Sequence, residues 1–136
     1  MKFLEILKER KLKATPQRIS ILRVLSKHEH PSIDELYEQI KLEYPAISLA
    51  TVYKNLSTMI DEGLVVEIAI PNDKSKYDIY EYEHIHLVCN NCKSVFDLDK
   101  VKAGLDKYQE SLQEKLEHSI DNIKITAFLS TCSNCK

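Results

Sequence analysis

Four cysteines stand in two CxxC pairs, Cys89 with Cys92 and Cys132 with Cys135, and 39 residues separate the pairs. Each pair can clasp an ion through a tight turn, and two pairs complete a tetrahedral shell, which is what a four-thiolate zinc site requires. The 39 intervening residues leave room for a helix and a strand, so such an ion would staple the chain end back onto a hairpin. Structural zinc uses all four sulfurs. A thioredoxin-like redox motif accounts for one pair only, and an iron–sulfur cluster would use the same number of ligands.

The compartment matters to that reading, because thiols stay reduced only where disulfides do not form. No apolar run approaches the ~18 residues of a membrane-spanning helix. The opening MKFLEILKERK is interrupted by Glu5, Lys8 and Glu9 and lacks the apolar centre of a signal peptide. The expectation is therefore a cytoplasmic chain with no membrane partner. Its hydrophobic fraction of 43% and charged fraction of 29% are those of a globular protein rather than a disordered one.

Charge is unevenly placed. From Lys2 to Lys27 there are eight basic residues against Glu5 and Glu9, a net +6, whereas Asp61 to Lys136 holds nine basic and fourteen acidic residues, a net −5. A basic front end on an acidic body suits a phosphate-facing lobe joined to a lobe with another task. A solvated basic helix face with no partner would show the same counts.

In the first half, Thr15–Pro16 reads as a helix start, followed by an apolar face of Ile19, Leu22, Val24 and Leu25. Ser32 and Glu35 form a capping box before Ile33, Leu36, Tyr37 and Ile40. Ser48 opens a third helix with apolar Leu49, Val52, Leu56, Met59 and Ile60, which Gly63 stops. LVVEIAI and KYDIYEY then read as strands around the turn PNDKS. Three helices and a hairpin is the order of a winged helix-turn-helix, with the third helix in the DNA major groove, although small helical domains of this kind also bind proteins.

The second half adds a different donor set. In the strand EHIHLVC, His84 and His86 share a face because side chains alternate, and Cys89, an odd number of positions from both, turns to the other. Imidazoles and carboxylates suit iron(II), manganese(II) or zinc, whereas thiolates suit zinc or a cluster. Asp78, Asp97 and His30 are the further candidates for a site with His84 and His86. Taken singly, the two aspartates also read as solvated strand residues and His30 as a helix-end residue. His28 and His118 read as surface histidines. A metalloenzyme using His84, His86 and a carboxylate would need a nearby base, and no residue stands out for that role.

TPQR at 15–18, HPSIDELY at 30–37, SLATVYKNL at 48–56, HIHLVCNNC at 84–92 and the final CSNC together resemble the ferric uptake regulator (Fur) family of bacterial repressors, in the same order from about residue 11 onward. The resemblance implies an α+β chain: an N-terminal winged helix-turn-helix DNA-binding domain at 1–82 and a C-terminal α/β domain for dimerisation and structural zinc at 83–136. It implies zinc on Cys89, Cys92, Cys132 and Cys135, and a regulatory iron(II) or manganese(II) on His30, Asp78, His84, His86 and Asp97. Asp97 and Asp78 resemble the peroxide-responsive PerR subgroup; iron-sensing members usually carry glutamate at the position of Asp97. In that subgroup peroxide reacts at bound iron, and the histidines matching His30 and His84 are oxidised.

A homodimer would then release its double-stranded operator DNA. The alternative within the family is an iron- or zinc-responsive repressor without histidine oxidation. For DNA contact the resemblance points to Lys13, Tyr53 and Lys54, with Arg18 and Thr51 as phosphate-positioning groups. A second regulatory site found in many iron-sensing members lacks its expected ligands here, since Ile85, Lys124 and Ala127 stand in their places.

Overall fold

Thr15, Ser32 and Ser48 each open a helix in the computed structural model, which describes residues 2–80 and 83–135. Thr15 and Ser48 accept the backbone N–H groups of Arg18 and Thr51 at 3.3 and 3.1 Å. At Ser32 the capping box is reciprocal: its hydroxyl accepts from Glu35 N–H and its own N–H donates to Glu35 Oε1. These caps satisfy donors that a helix start would otherwise leave open. The helices they open are α2 (Pro16–Leu25), α3 (Ile33–Glu43) and α4 (Leu49–Asp61).

Gly63 ends α4 with φ +77°, its N–H on Ile60 O at 3.0 Å and that of Leu64 on Met59 O at 2.9 Å. This is the double closure of a Schellman motif, which calls for a left-handed residue and so for glycine. Strands β1 (Val65–Ile68) and β2 (Lys76–Ile79) follow as an antiparallel wing.

The sequence reading of three helices is corrected to four. An additional α1 (Lys2–Glu9) precedes them. Its charges conceal an apolar stripe in which Leu7 is fully buried and Phe3 and Ile6 pack on the core. Arg10 just beyond it donates to the carbonyl of Glu62 at the end of α4. Two facial assignments also change: Ile21, left out of the expected apolar face, is fully buried on α2 beside Leu22 and Leu25 while Ile19 is only partly buried, and Leu49, expected in the core, is 41% exposed. The N-terminal core is otherwise the expected one, with Leu22, Leu25, Leu36, Ile40, Leu56 and Met59 at 0–1% exposure.

The chain divides into two units, Met1–Glu81 and Tyr82–Lys136. The boundary expected after residue 82 adjoins positions 81 and 82, which lie outside the described residues, as does the end of the expected strand KYDIYEY. In the second unit β3 (His84–Cys89) is central, with β4 (Val95–Asp99) antiparallel on one side and β5 (Thr126–Leu129) parallel on the other. Helix α5 (Leu105–Leu116) supplies the crossover that a parallel return requires. Among the described residues few apolar side chains are buried in this unit, namely Val88, Cys89 and Leu105, while Tyr108, Leu116 and Phe128 are about half exposed. Four helices with a wing, followed by this sheet and helix, make an α+β fold. Among the described residues no helix is long and apolar enough to cross a membrane.

Candidate metal centres and nucleic-acid interface

Strand register assembles the thiol cluster. Cys89 ends β3, and a turn through Lys93, at φ +66°, closes with Lys93 N–H on Cys89 O and Cys89 N–H on Ser94 O, both 2.9 Å. The parallel pairing of β5 sets Leu129 opposite Cys89, and Asn90 N–H donates to Leu129 O at 2.8 Å. Cys132, three residues on, is thereby delivered to the same turn.

The sulfurs of Cys89 and Cys135 lie 3.3 Å apart, those of Cys92 and Cys132 3.5 Å, and those of Cys132 and Cys135 3.6 Å. A disulfide needs about 2.05 Å, so these are free thiols. Zinc–sulfur bonds of about 2.3 Å put the corners of a tetrahedron about 3.8 Å apart, and the four thiols fit such an ion after a slight expansion. Ser94, whose Oγ is 3.1 Å from Cys92 Sγ, draws that thiol down to about 6, and burial pushes Cys132 up to about 12. Ser94 went unmentioned in the sequence reading; its place two residues past the CxxC is the signal that could have found it.

The imidazoles of β3 lie on the alternate phase from Cys89, as strand geometry requires. His84 and His86 are 1% and 3% exposed, with their Nε2 atoms 3.0 Å apart. Antiparallel register places Asp97 directly opposite His86, and its Oδ1 lies 3.3 Å from His86 Nε2 and 3.6 Å from His84 Nε2. Two imidazoles and one carboxylate therefore converge within the C-terminal unit, a donor set suited to a divalent transition metal.

The N-terminal unit builds a similar set. Tyr77 N–H donates to Pro31 O at 2.9 Å and Ser32 bridges to Lys76, so residues 31 and 32 run alongside β2. Asp78, fully buried on β2, receives both histidines before that contact: His28 Nδ1 at 2.9 Å on Oδ1 and His30 Nε2 at 3.5 Å from Oδ2. His28 and His30 both take left-handed backbone, φ +55° and +54°, at a cost on the order of 1 kcal/mol each. The reading of His28 as a surface histidine is thus corrected: its ring is 29% exposed and bound to Asp78. The signal was the HxH spacing it shares with His84 and His86. His118 is exposed, as expected.

Of the candidate DNA contacts, Lys13, Thr51, Tyr53 and Lys54 are exposed, Tyr53 at 54%, while Val52 between them is buried. Arg18 is committed internally: Nε donates to Asn55 Oδ1 and Nη1 to Lys13 O, both at 3.0 Å, which braces α2 against α4.

Comparison with known proteins agrees with this construction. The model of the ferric uptake regulator family matches residues 9–128. The peroxide-responsive repressor PerR of Staphylococcus epidermidis is 31% identical over 126 residues, covering 92% of this chain and 82% of its own. The crystal structure of the Campylobacter jejuni peroxide stress regulator superposes with a TM-score of 0.87 at 52% identity, over 99% of this chain and all of that one. The Vibrio cholerae ferric uptake regulator gives 0.69 at 30% identity, over 95% of this chain and 98% of that one. With its winged helix, its four-thiol cluster and these relatives, the chain belongs to the ferric uptake regulator family, a family of regulators rather than enzymes.

Proposed function

We propose that this protein is a metal-dependent, peroxide-sensing transcriptional repressor that acts in the cytoplasm, binds double-stranded operator DNA as a homodimer, and releases it after iron-catalysed oxidation of ligand histidines. The observation that carries the reading is the sorting of donors by chemistry, thiols into one cluster and buried imidazoles with aspartates into others. Cys89, Cys92, Cys132 and Cys135 hold structural zinc. His30, Asp78, His84, His86 and Asp97 hold the regulatory iron(II) or manganese(II). The aspartate at position 97 and the similarity to two peroxide regulators support the peroxide reading over simple metal sensing.

Iron(II) held by these residues would supply the activation of peroxide, one oxygen of which would be added to an imidazole carbon while the other would leave as water. His30 and His84 are the acceptors. An oxidised imidazole donates poorly, the ion is lost and the operator is released. Tyr53 and Lys54 on α4 read bases, with Lys13, Thr51 and Arg18 at or behind the phosphates. The sparsely buried C-terminal unit, with Phe128 exposed on an edge strand, supports a second copy of the chain as its partner.

The test is operator binding by zinc-containing protein loaded with iron(II) or manganese(II), before and after limited peroxide, with mass spectrometry of the peptides carrying His30 and His84. Loss of DNA in the iron form alone, with one oxygen added to either histidine, is the expected result. Equal peroxide resistance of both forms, with unmodified histidines, would make the protein an iron- or zinc-responsive repressor instead.

A further inference from the structure

We propose that His28 is a positioning residue for the regulatory metal, fixing the Asp78 carboxylate so that only Oδ2 is presented to the ion. The inference rests on the reading of His30 and Asp78 as ligands and assigns the role of a third histidine that this reading does not use. His28 Nδ1 stands 2.9 Å from Asp78 Oδ1. An ionised carboxylate has no proton to give, so Nδ1 must carry the hydrogen and donate it. His30 Nε2 is next to the other oxygen, Oδ2, at 3.5 Å. The two oxygens of one fully buried carboxylate are therefore divided between two rings.

The backbone enforces that division. Left-handed conformations at both His28 and His30 bracket Glu29, and the Tyr77–Pro31 hydrogen bond with the Ser32–Lys76 bridge pins the segment along β2. Backbone strain at two non-glycine residues persists where the surroundings over-determine it. A carboxylate holding a hydrogen bond on one oxygen binds a metal through the other. It contributes one donor instead of two, and its orientation is set before the ion arrives.

The experiment is a manganese(II) titration, read by electron paramagnetic resonance of free manganese, on zinc-loaded wild type, His28→Ala, His28→Asn and Asp78→Ala, with zinc content and melting temperature followed in each. His28→Ala is expected to bind manganese about 10–100-fold more weakly. His28→Asn, whose amide N–H can take the place of the ring N–H, should recover most of that loss, with zinc unchanged throughout. Wild-type affinity in His28→Ala beside a loss in Asp78→Ala would overturn the proposal. So would a His28→Ala loss as complete as that of Asp78→Ala with no recovery by asparagine, since His28 would then be a ligand itself. Wild-type affinity in Asp78→Ala would instead sink the reading of the site beneath it. If His28→Ala does not fold, His28→Gln, with its amide one carbon too far, takes its place and must show the same loss.

Discussion

Ser32 caps α3 with its hydroxyl while its backbone bridges to Lys76 beside Asp78, so one residue starts a helix and steadies the histidine segment. Ser32→Ala should cost about 1 kcal/mol of stability, measured by denaturant titration, with the metal-binding residues still in place. Gly63→Ala faces a harder constraint. Its φ of +77° disfavours a Cβ, which would also come within 3.3 Å of Arg10 Nη1, and a loss of about 1 kcal/mol or more is expected from the same measurement. Asp97→Ala should keep its zinc and its fold while losing manganese affinity at least about tenfold and operator affinity with it; loss of zinc from that variant would show that the thiol and imidazole sites are one. At this scale the caps, the thiol pairs and the imidazole pair were legible in sequence, because their signals lie within a few neighbouring residues. The contact of His28 with Asp78 was not, since 50 residues separate them.

Helix α4 packs with one face and leaves the other open for the proposed operator contact. Val52, Leu56 and Met59 are buried at helical spacing, and Thr51, Tyr53 and Lys54 face outward between them. Leu56→Ala should lose about 2–5 kcal/mol through its cavity, whereas Tyr53→Ala should leave the melting temperature and both metals unchanged and weaken operator binding in a gel-shift titration. Equal operator affinity in Tyr53→Ala would remove it from the interface. The helices were readable from caps and periodicity. Leu49 was misplaced because it sits at the helix start, where apolar spacing does not report which side the first turn presents. Helix α1 was overlooked because its charges dominate the composition, although Leu7 fills the core. Strand β3 was legible as a strand, but the pairing of His86 with Asp97 depends on a register that the HIH motif alone does not specify.

In the molecule as a whole, the two units differ in what stabilises them. The N-terminal unit closes over a contiguous apolar core, while the C-terminal unit buries few apolar side chains and holds its last strand to its first by register and by thiols. Stripping zinc with a chelator, or Cys132→Ser, should therefore unfold the C-terminal unit and leave helical circular dichroism from α1–α4; a fully folded zinc-free protein would refute this. Sequence by itself determined the parts: thiol pairs at clasping distance, imidazoles in phase on one strand, and capped helices before a wing. Each of these follows from the local geometry of a turn, a strand or a helix end. Tertiary structure alone decided that Asp78 is buried with a histidine on each oxygen, that Asp97 faces His86, and that Arg18 braces α4. These depend on which distant segments pair and in what register, and the energy that selects them comes from burying the whole core rather than from any residue's neighbours in the chain.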